Sequence, residues 1–118
     1  MAALSVRIDL APGQRVGPGK IELLEKIAAF GSISAAGRSM DMSYRRAWEL
    51  VEDLNGMFGT PVVTAQTGGR RGGGAVLTPF GLSLIARYRA IEHAAAEAAA
   101  LHLLALSREL AAPAGPEA

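Results

Sequence analysis

The chain has 118 residues, half of them hydrophobic, with no Cys and a formal net charge of +1, which suits one small domain with an appendage. The missing Cys excludes disulfides, thiolate metal sites and cysteine nucleophiles, and the near-neutral total gives no general electrostatic case for nucleic acid. The distribution of charge does: residues 1–89 carry 11 Lys or Arg against 7 Asp or Glu (+4), whereas residues 90–118 carry Arg108 against Glu92, Glu97, Glu109 and Glu117 (−3). A basic front and an acidic tail fit a DNA-binding head followed by a helix that stays away from phosphate.

Leu4, Val6, Ile8 and Leu10 alternate with Ser5, Arg7 and Asp9, the period of a half-buried strand. Arg7 and Asp9 also interrupt any apolar run, so no export signal is visible, and a cytoplasmic location is expected. Pro12, Gly13, Gly17 and Pro18 break the chain. Ile21, Leu23, Leu24, Ile27, Ala28 and Phe30 then recur at helical spacing, predicting a first helix over 19–30.

Ser32-Ile-Ser34 supplies an N-cap, and Ser34 before Ala35–Met40 reads as a second helix of about two turns. Asp41-Met42-Ser43 is the turn. Ser43 caps a third helix, Tyr44 to Phe58, with Ala47, Leu50, Val51, Leu54 and Phe58 on one face. Arg45, Glu49 and Glu52 lie opposite that stripe, flanked by Arg46 and Asp53. A short helix, a three-residue turn and a longer helix with arginines in its first turn has the spacing of a helix-turn-helix; the competing reading is an ordinary αα-hairpin with a polar exterior.

Thr67-Gly-Gly-Arg-Arg-Gly-Gly-Gly-Ala-Val-Leu-Thr78 holds two arginines between glycines and β-prone flanks. Glycine tolerates positive φ, so the stretch predicts a hairpin over about 61–77 with Arg70 and Arg71 at its tip. Thr78-Pro79 then starts a long helix, expected over 79–111. At about 1.5 Å per residue it runs roughly 50 Å, longer than so small a domain covers, and Ile91, Leu101, Leu103, Leu104 and Leu106 are expected to pack on another copy of the chain. Its longest apolar run, Ala94–Leu106, is broken by Glu97 and His102 and does not suit a membrane span. The polar face of the amphipathic stretch Leu101–Leu110, with Arg108 alone, is too poor in Lys and Arg for a membrane surface. His93 and His102, nine apart without a companion ligand, make no metal site. Residues 112–118 read as a flexible tail.

Strand, helix, helix-turn-helix, two-stranded ribbon and long helix, in that order, specify a mainly α fold with a small β wing: a winged helix-turn-helix over 1–92 with a long C-terminal dimerisation helix. Gly31-Ser-Ile-Ser-Ala-Ala-Gly37, Met42-Ser-Tyr-Arg-Arg-Ala-Trp48, and the glycine-rich stretch to Thr78 with Phe80-Gly81 resemble the N-terminal DNA-binding domain of ModE-type molybdate-responsive transcription regulators. The pattern is also similar to the heads of LysR-type regulators. The similarity covers about residues 19–92, and the glycine-rich wing followed by Ala-Val-Leu-Thr is its specific part. It implies a regulator of molybdenum-related genes that binds double-stranded DNA as a homodimer. In full-length members, small β-barrel domains that bind molybdate follow such a head; here the sequence runs from an alanine-rich helix into a Pro/Gly tail, so no molybdate site and no cofactor are expected in this chain.

Ser43, Tyr44, Arg45 and Arg46 match the start of the family's recognition helix. Arg45 is the candidate for a bidentate contact to guanine. Arg46 suits phosphate. The Ser43 hydroxyl is divided between phosphate and its own helix cap, and Tyr44 between DNA and the core. Glu49 either accepts from a cytosine amino group or pairs with the neighbouring arginines. Arg70 and Arg71 suit phosphate or the minor groove. Arg38 either faces the backbone or merely solubilises its helix. Trp48, at the border of the buried stripe, reads as wedged between helices and is left out of the site. Two alternatives stand beside this reading: a LysR-like head with another effector, and a non-enzymatic protein-interaction module. An enzyme is not expected, because the sequence offers no Ser/His/Asp constellation, no metal set and no P-loop.

Overall fold

The computed structural model describes residues 2–66 and 74–111; Arg70 and Arg71 with the rest of 67–73, and the tail 112–118, lie outside the described residues. The elements in chain order are β1 (Ile8–Ala11), β2 (Gln14–Val16), α1 (Pro18–Phe30), α2 (Ile33–Ser39), α3 (Tyr44–Phe58), β3 (Val63–Gln66), β4 (Gly74–Leu77) and α4 (Pro79–Arg108). The winged helix-turn-helix expected from the sequence is present.

The N-terminus differs from expectation. The single strand predicted from Leu4 is a hairpin, β1 against β2, with Ile8 opposite Val16 and Asp9 opposite Arg15. Gly13, at φ 76°, turns the chain where a simple break was expected. Leu4, Val6 and Ile8 are nonetheless the half-buried members of the alternation, with Ser5, Arg7 and Asp9 exposed. For residues 4–7 the period-two pattern reports burial of an extended segment beside a helix: the Tyr88 hydroxyl of α4 donates to the Val6 carbonyl at 2.5 Å.

Gly31, at φ 76°, ends α1, and the Ser32 hydroxyl caps α2 by accepting from the Ala35 amide at 3.1 Å. The cap is therefore Ser32 and not Ser34. In the turn to α3, the Met42 amide donates to the Gly37 carbonyl at 2.9 Å, and Asp41 takes a positive φ of 56°. A Cβ on Gly37 would lie 3.1 Å from that of Ala47, so the two helices of the motif cross at close range. Ser43 caps α3 through the Arg46 amide at 3.0 Å, and Ala47, Leu50, Val51 and Leu54 are buried as their spacing requires.

The wing is fastened at both ends. Asn55 of α3 accepts from the Val62 amide at 2.8 Å, which sets the entry to β3. Strands β3 and β4 pair antiparallel from Val63 opposite Leu77 to Gln66 opposite Gly74. The Ala75 amide donates to the Gly31 carbonyl at 2.9 Å, and a Cβ at Gly74 would approach that carbonyl oxygen to 2.7 Å, so the wing is docked on the end of α1.

Thr78 starts α4 by accepting from the Gly81 amide at 3.0 Å and donating to the Pro61 carbonyl at 2.7 Å. At Gly81 a Cβ would meet the Val62 carbonyl oxygen at 2.2 Å, which requires glycine there. The proximal half of α4 closes one core with α1, α3, β2 and the wing: Val16, Ile21, Leu23, Leu24, Ile27, Leu54, Val62 and Tyr88 are its largest buried side chains. Helix α4 ends at Arg108, slightly before the expected 111, and its distal half gives the molecule its 59 Å length. Among the described residues no helix is long and apolar enough to cross a membrane.

Candidate nucleic-acid interface

The first turn of α3 stands clear of the core. Ser43 spends one lone pair on its own cap, and its hydroxyl is exposed. Arg45 has 88% of its side chain exposed and reaches Glu49 Oε2 with its Nε at 3.4 Å. Arg46 Nη1 lies 3.8 Å from the other oxygen of the same carboxylate. Glu49 thus sits between the two guanidiniums at helical spacings of four and three. Exposed pairs of this kind are worth about 1 kcal/mol or less, so an incoming phosphate or guanine edge can displace the carboxylate without large cost. Of the two roles open to Glu49 in the sequence, arginine pairing is the one it plays in this structure.

Arg38, on α2, is exposed and leans back along its helix, with Nη1 3.5 Å from the Ser34 hydroxyl. Of the candidate residues on helices, Ser43, Tyr44, Arg45, Arg46 and Glu49 are brought together on α3, while Arg38 belongs to the neighbouring helix. Arg70 and Arg71 fall in the stretch outside the described residues. The strands that lead into that stretch run from Val63 to Gln66 and from Gly74 to Leu77.

Tyr44 and Trp48 are where side-chain placement departs most from the sequence reading. Tyr44 is 57% exposed and Trp48 46% exposed, so neither is consumed by the core. One turn apart, they line an open groove of about 340 Å³ between α3 and the wing, with Ser32 and Ser34 of the α2 start, and with Gln66 and Gly74 of the wing, around it. The missed signal was angular: position 48 is about 100° from Ala47, on the flank that faces the wing and away from the helix packing.

A second set of exposed residues lies on α4. Ile91, Leu101, Leu104 and Leu106, with Leu110 just beyond the end of the helix, are each about half exposed or more, Leu101 reaching 80%. Leu103 is half-buried, and it lines a groove with Leu104, Ala2, Ala3 and Leu4 of the same chain. Lower on the helix, Arg89 forms two bonds to Glu25 of α1, at 3.0 and 2.7 Å, and one to Glu92 at 2.7 Å. The Arg89 bond holds the Glu25 carboxyl below its ordinary range against a smaller opposing effect of burial, and the two carboxylates raise the Arg89 pKa.

The sequence pattern of bacterial regulatory helix-turn-helix proteins of the lysR family matches residues 19–82, from α1 through the wing into the first turn of α4. The chain belongs to this family. The core of its LysR-type head is therefore the part in which α2 and α3 cross at Gly37 and the wing docks on Gly31; the N-terminal hairpin and distal α4 fall outside the match. Molybdenum-pterin-binding protein MopB of Rhodobacter capsulatus is 52% identical over 80 residues, covering 68% of this chain and 30% of that protein. MopA of the same organism is 45% identical over 98 residues, covering 83% and 36%. The DNA-binding transcriptional dual regulator ModE of Escherichia coli K12 is 42% identical over 71 residues, covering 60% and 27%. The chain spans about a third of the length of these relatives or less.

Proposed function

We propose that this LysR-type head acts as a cytoplasmic, sequence-specific DNA-binding regulator of molybdenum-related genes, without enzymatic activity, and that it binds as a homodimer. The observation that carries the reading is the first turn of α3, which presents Arg45 and Arg46 to solvent from a capped helix end beside a docked wing. In that arrangement α3 enters the major groove N-terminus first, Arg45 addresses a guanine edge, and Arg46 and Ser43 address phosphate. Arg38 extends the contact along the DNA backbone, and Arg70 and Arg71 address phosphate or the adjacent minor groove. The link to molybdenum rests on the names of the relatives and on the identity shared with them over the head.

For the dimer, α4 itself supplies the support. Leu84, Arg87, Ile91, Ala94, Ala98, Leu101 and Ala105 recur at alternating spacings of three and four on one side, and all but the half-buried Leu84 are exposed. That is the seam of a two-helix coiled coil, with small residues in the middle that let two helices approach closely. Ile91 and Leu101 lie on it and Leu104 beside it, whereas Leu106 falls toward the outer face and Leu103 lies opposite, against the chain's own N-terminal segment. Paired heads then set two recognition helices one DNA turn, or a multiple, apart on a pseudo-palindrome.

Fluorescence anisotropy on DNA from molybdenum-related promoters tests the reading. Binding is expected to weaken steeply between low and moderate salt, and Arg45→Ala to lose about tenfold in affinity for the preferred site, within the range of one bidentate base contact. Binding indifferent to both salt and Arg45→Ala overturns it.

A further inference from the structure

We propose that Tyr44 and Trp48 form a thymine-reading clamp: their side chains, one turn apart on the wing-facing flank of α3, close on the C5-methyl group of a thymine in the major groove. The inference rests on the DNA-binding reading above and adds to it a base preference and two residues that carry it.

The argument starts from a cost. Two large aromatic side chains, 57% and 46% exposed on one flank of one helix, present apolar surface that the described residues leave uncovered. Both also lie within the first two turns of α3, the part of a recognition helix that meets base edges. Arg45 lies on the same turn as Tyr44, and Glu49, which holds the Arg45 guanidinium, follows Trp48 directly. The groove they line is open, and on its far side stands the wing, with Gln66 at its rim. A duplex laid against Arg45 and the wing therefore covers Tyr44 and Trp48 as well. The floor of the major groove has one apolar group to offer such a pair, the thymine methyl; every other distinctive base edge there is a hydrogen-bond donor or acceptor. Each has one polar group at its rim, the Tyr44 hydroxyl and the Trp48 Nε1–H, while most of its surface is a flat apolar face suited to a methyl group. The division of labour that follows is a guanine read by Arg45 and a thymine read by Tyr44 and Trp48, within a few base pairs of each other.

The chain carries a single Trp, which makes the test direct. DNA is selected from a random duplex library by the full chain, and each thymine of the selected site is replaced in turn by uracil, which deletes only the methyl. One position per half-site is expected to lose about fourfold in affinity, the worth of one methyl group removed from water. Trp48→Ala is expected to abolish that penalty at that position and leave other positions unchanged. Tryptophan emission of the unaltered chain is expected to shift to the blue and to gain protection from acrylamide on DNA binding. If uracil is neutral at every position, or if the penalty persists in a folded Trp48→Ala, or if Trp48 remains equally open to acrylamide in the complex, the clamp is overturned. Should Trp48→Ala lose its helical circular dichroism, the uracil scan and the quenching of the unaltered chain decide alone. Selection of no sequence at all overturns the DNA-binding reading itself, and the clamp with it; selection of a site without a methyl-sensitive position overturns the clamp only.

Discussion

The two halves of α4 are one continuous helix with opposite relations to the rest of the molecule. From Pro79 to Glu92 the helix is locked in: Gly81 lies against the Val62 carbonyl, Tyr88 is buried, and Arg89 bridges to Glu25. From His93 to Arg108 its contacts are with the extended segment Ala2–Leu4, and Leu101 and Leu106 stand largely in water. The difference shows that helical pattern and helical packing are separate matters. The proximal half is apolar because the head needs a wall; the distal half leaves its apolar side chains in water, and that exposure is the support for the proposed dimer.

Breaking the proximal half should have the largest effect. Tyr88→Ala removes a buried aromatic ring and leaves the Val6 carbonyl without its partner, and a loss of about 4 kcal/mol is expected in urea denaturation. Breaking the distal half should leave the head intact: Leu101→Glu is expected to halve the mass seen by light scattering while changing the stability of the monomeric head by about 0.5 kcal/mol or less. An unchanged mass would remove the role assigned to the seam. The smallest effect lies at the boundary between the halves, where Glu25→Gln should cost about 1 kcal/mol or less, since the pair with Arg89 is more than a third exposed. Its sign with pH is fixed. The folded state lowers the Glu25 pKa, so the contribution is complete above the ordinary glutamate range and fades as pH falls through the lowered folded value. Unfolding midpoints of the two proteins should differ at neutral pH and converge in acid.

Much of the framework that carries the candidate interface was legible beforehand because its elements are set by local rules. Ser43 before Tyr44-Arg-Arg, Thr78 before Pro79 and Gly59 after Phe58 mark helix ends by backbone chemistry that needs no distant partner. The 3.6-residue period then placed Arg45 and Glu49 outward. Trp48 was misjudged for the opposite reason. A residue on the flank of a helix is buried or open according to what stands beside it, and the neighbour here, the wing, leaves a groove where a helix was expected to pack. The N-terminal segment illustrates the same limit: alternation identified which of its residues turn inward, and the element they turn toward proved to be α4.

The sequence by itself determined the order of elements from α1 to α4, the caps that start α3 and α4 and the inward and outward faces of α3, because these follow from side-chain periodicity and from hydrogen bonds within a few residues. Only the tertiary structure decided that the N-terminus doubles back as a hairpin and lies along α4, that the wing docks through the Gly31 carbonyl, and that Tyr44 and Trp48 stay in the open. Those outcomes depend on how closely two backbones can approach across the fold, at Gly37, Gly74 and Gly81 above all. That distance is a property of packed elements together and of no segment alone.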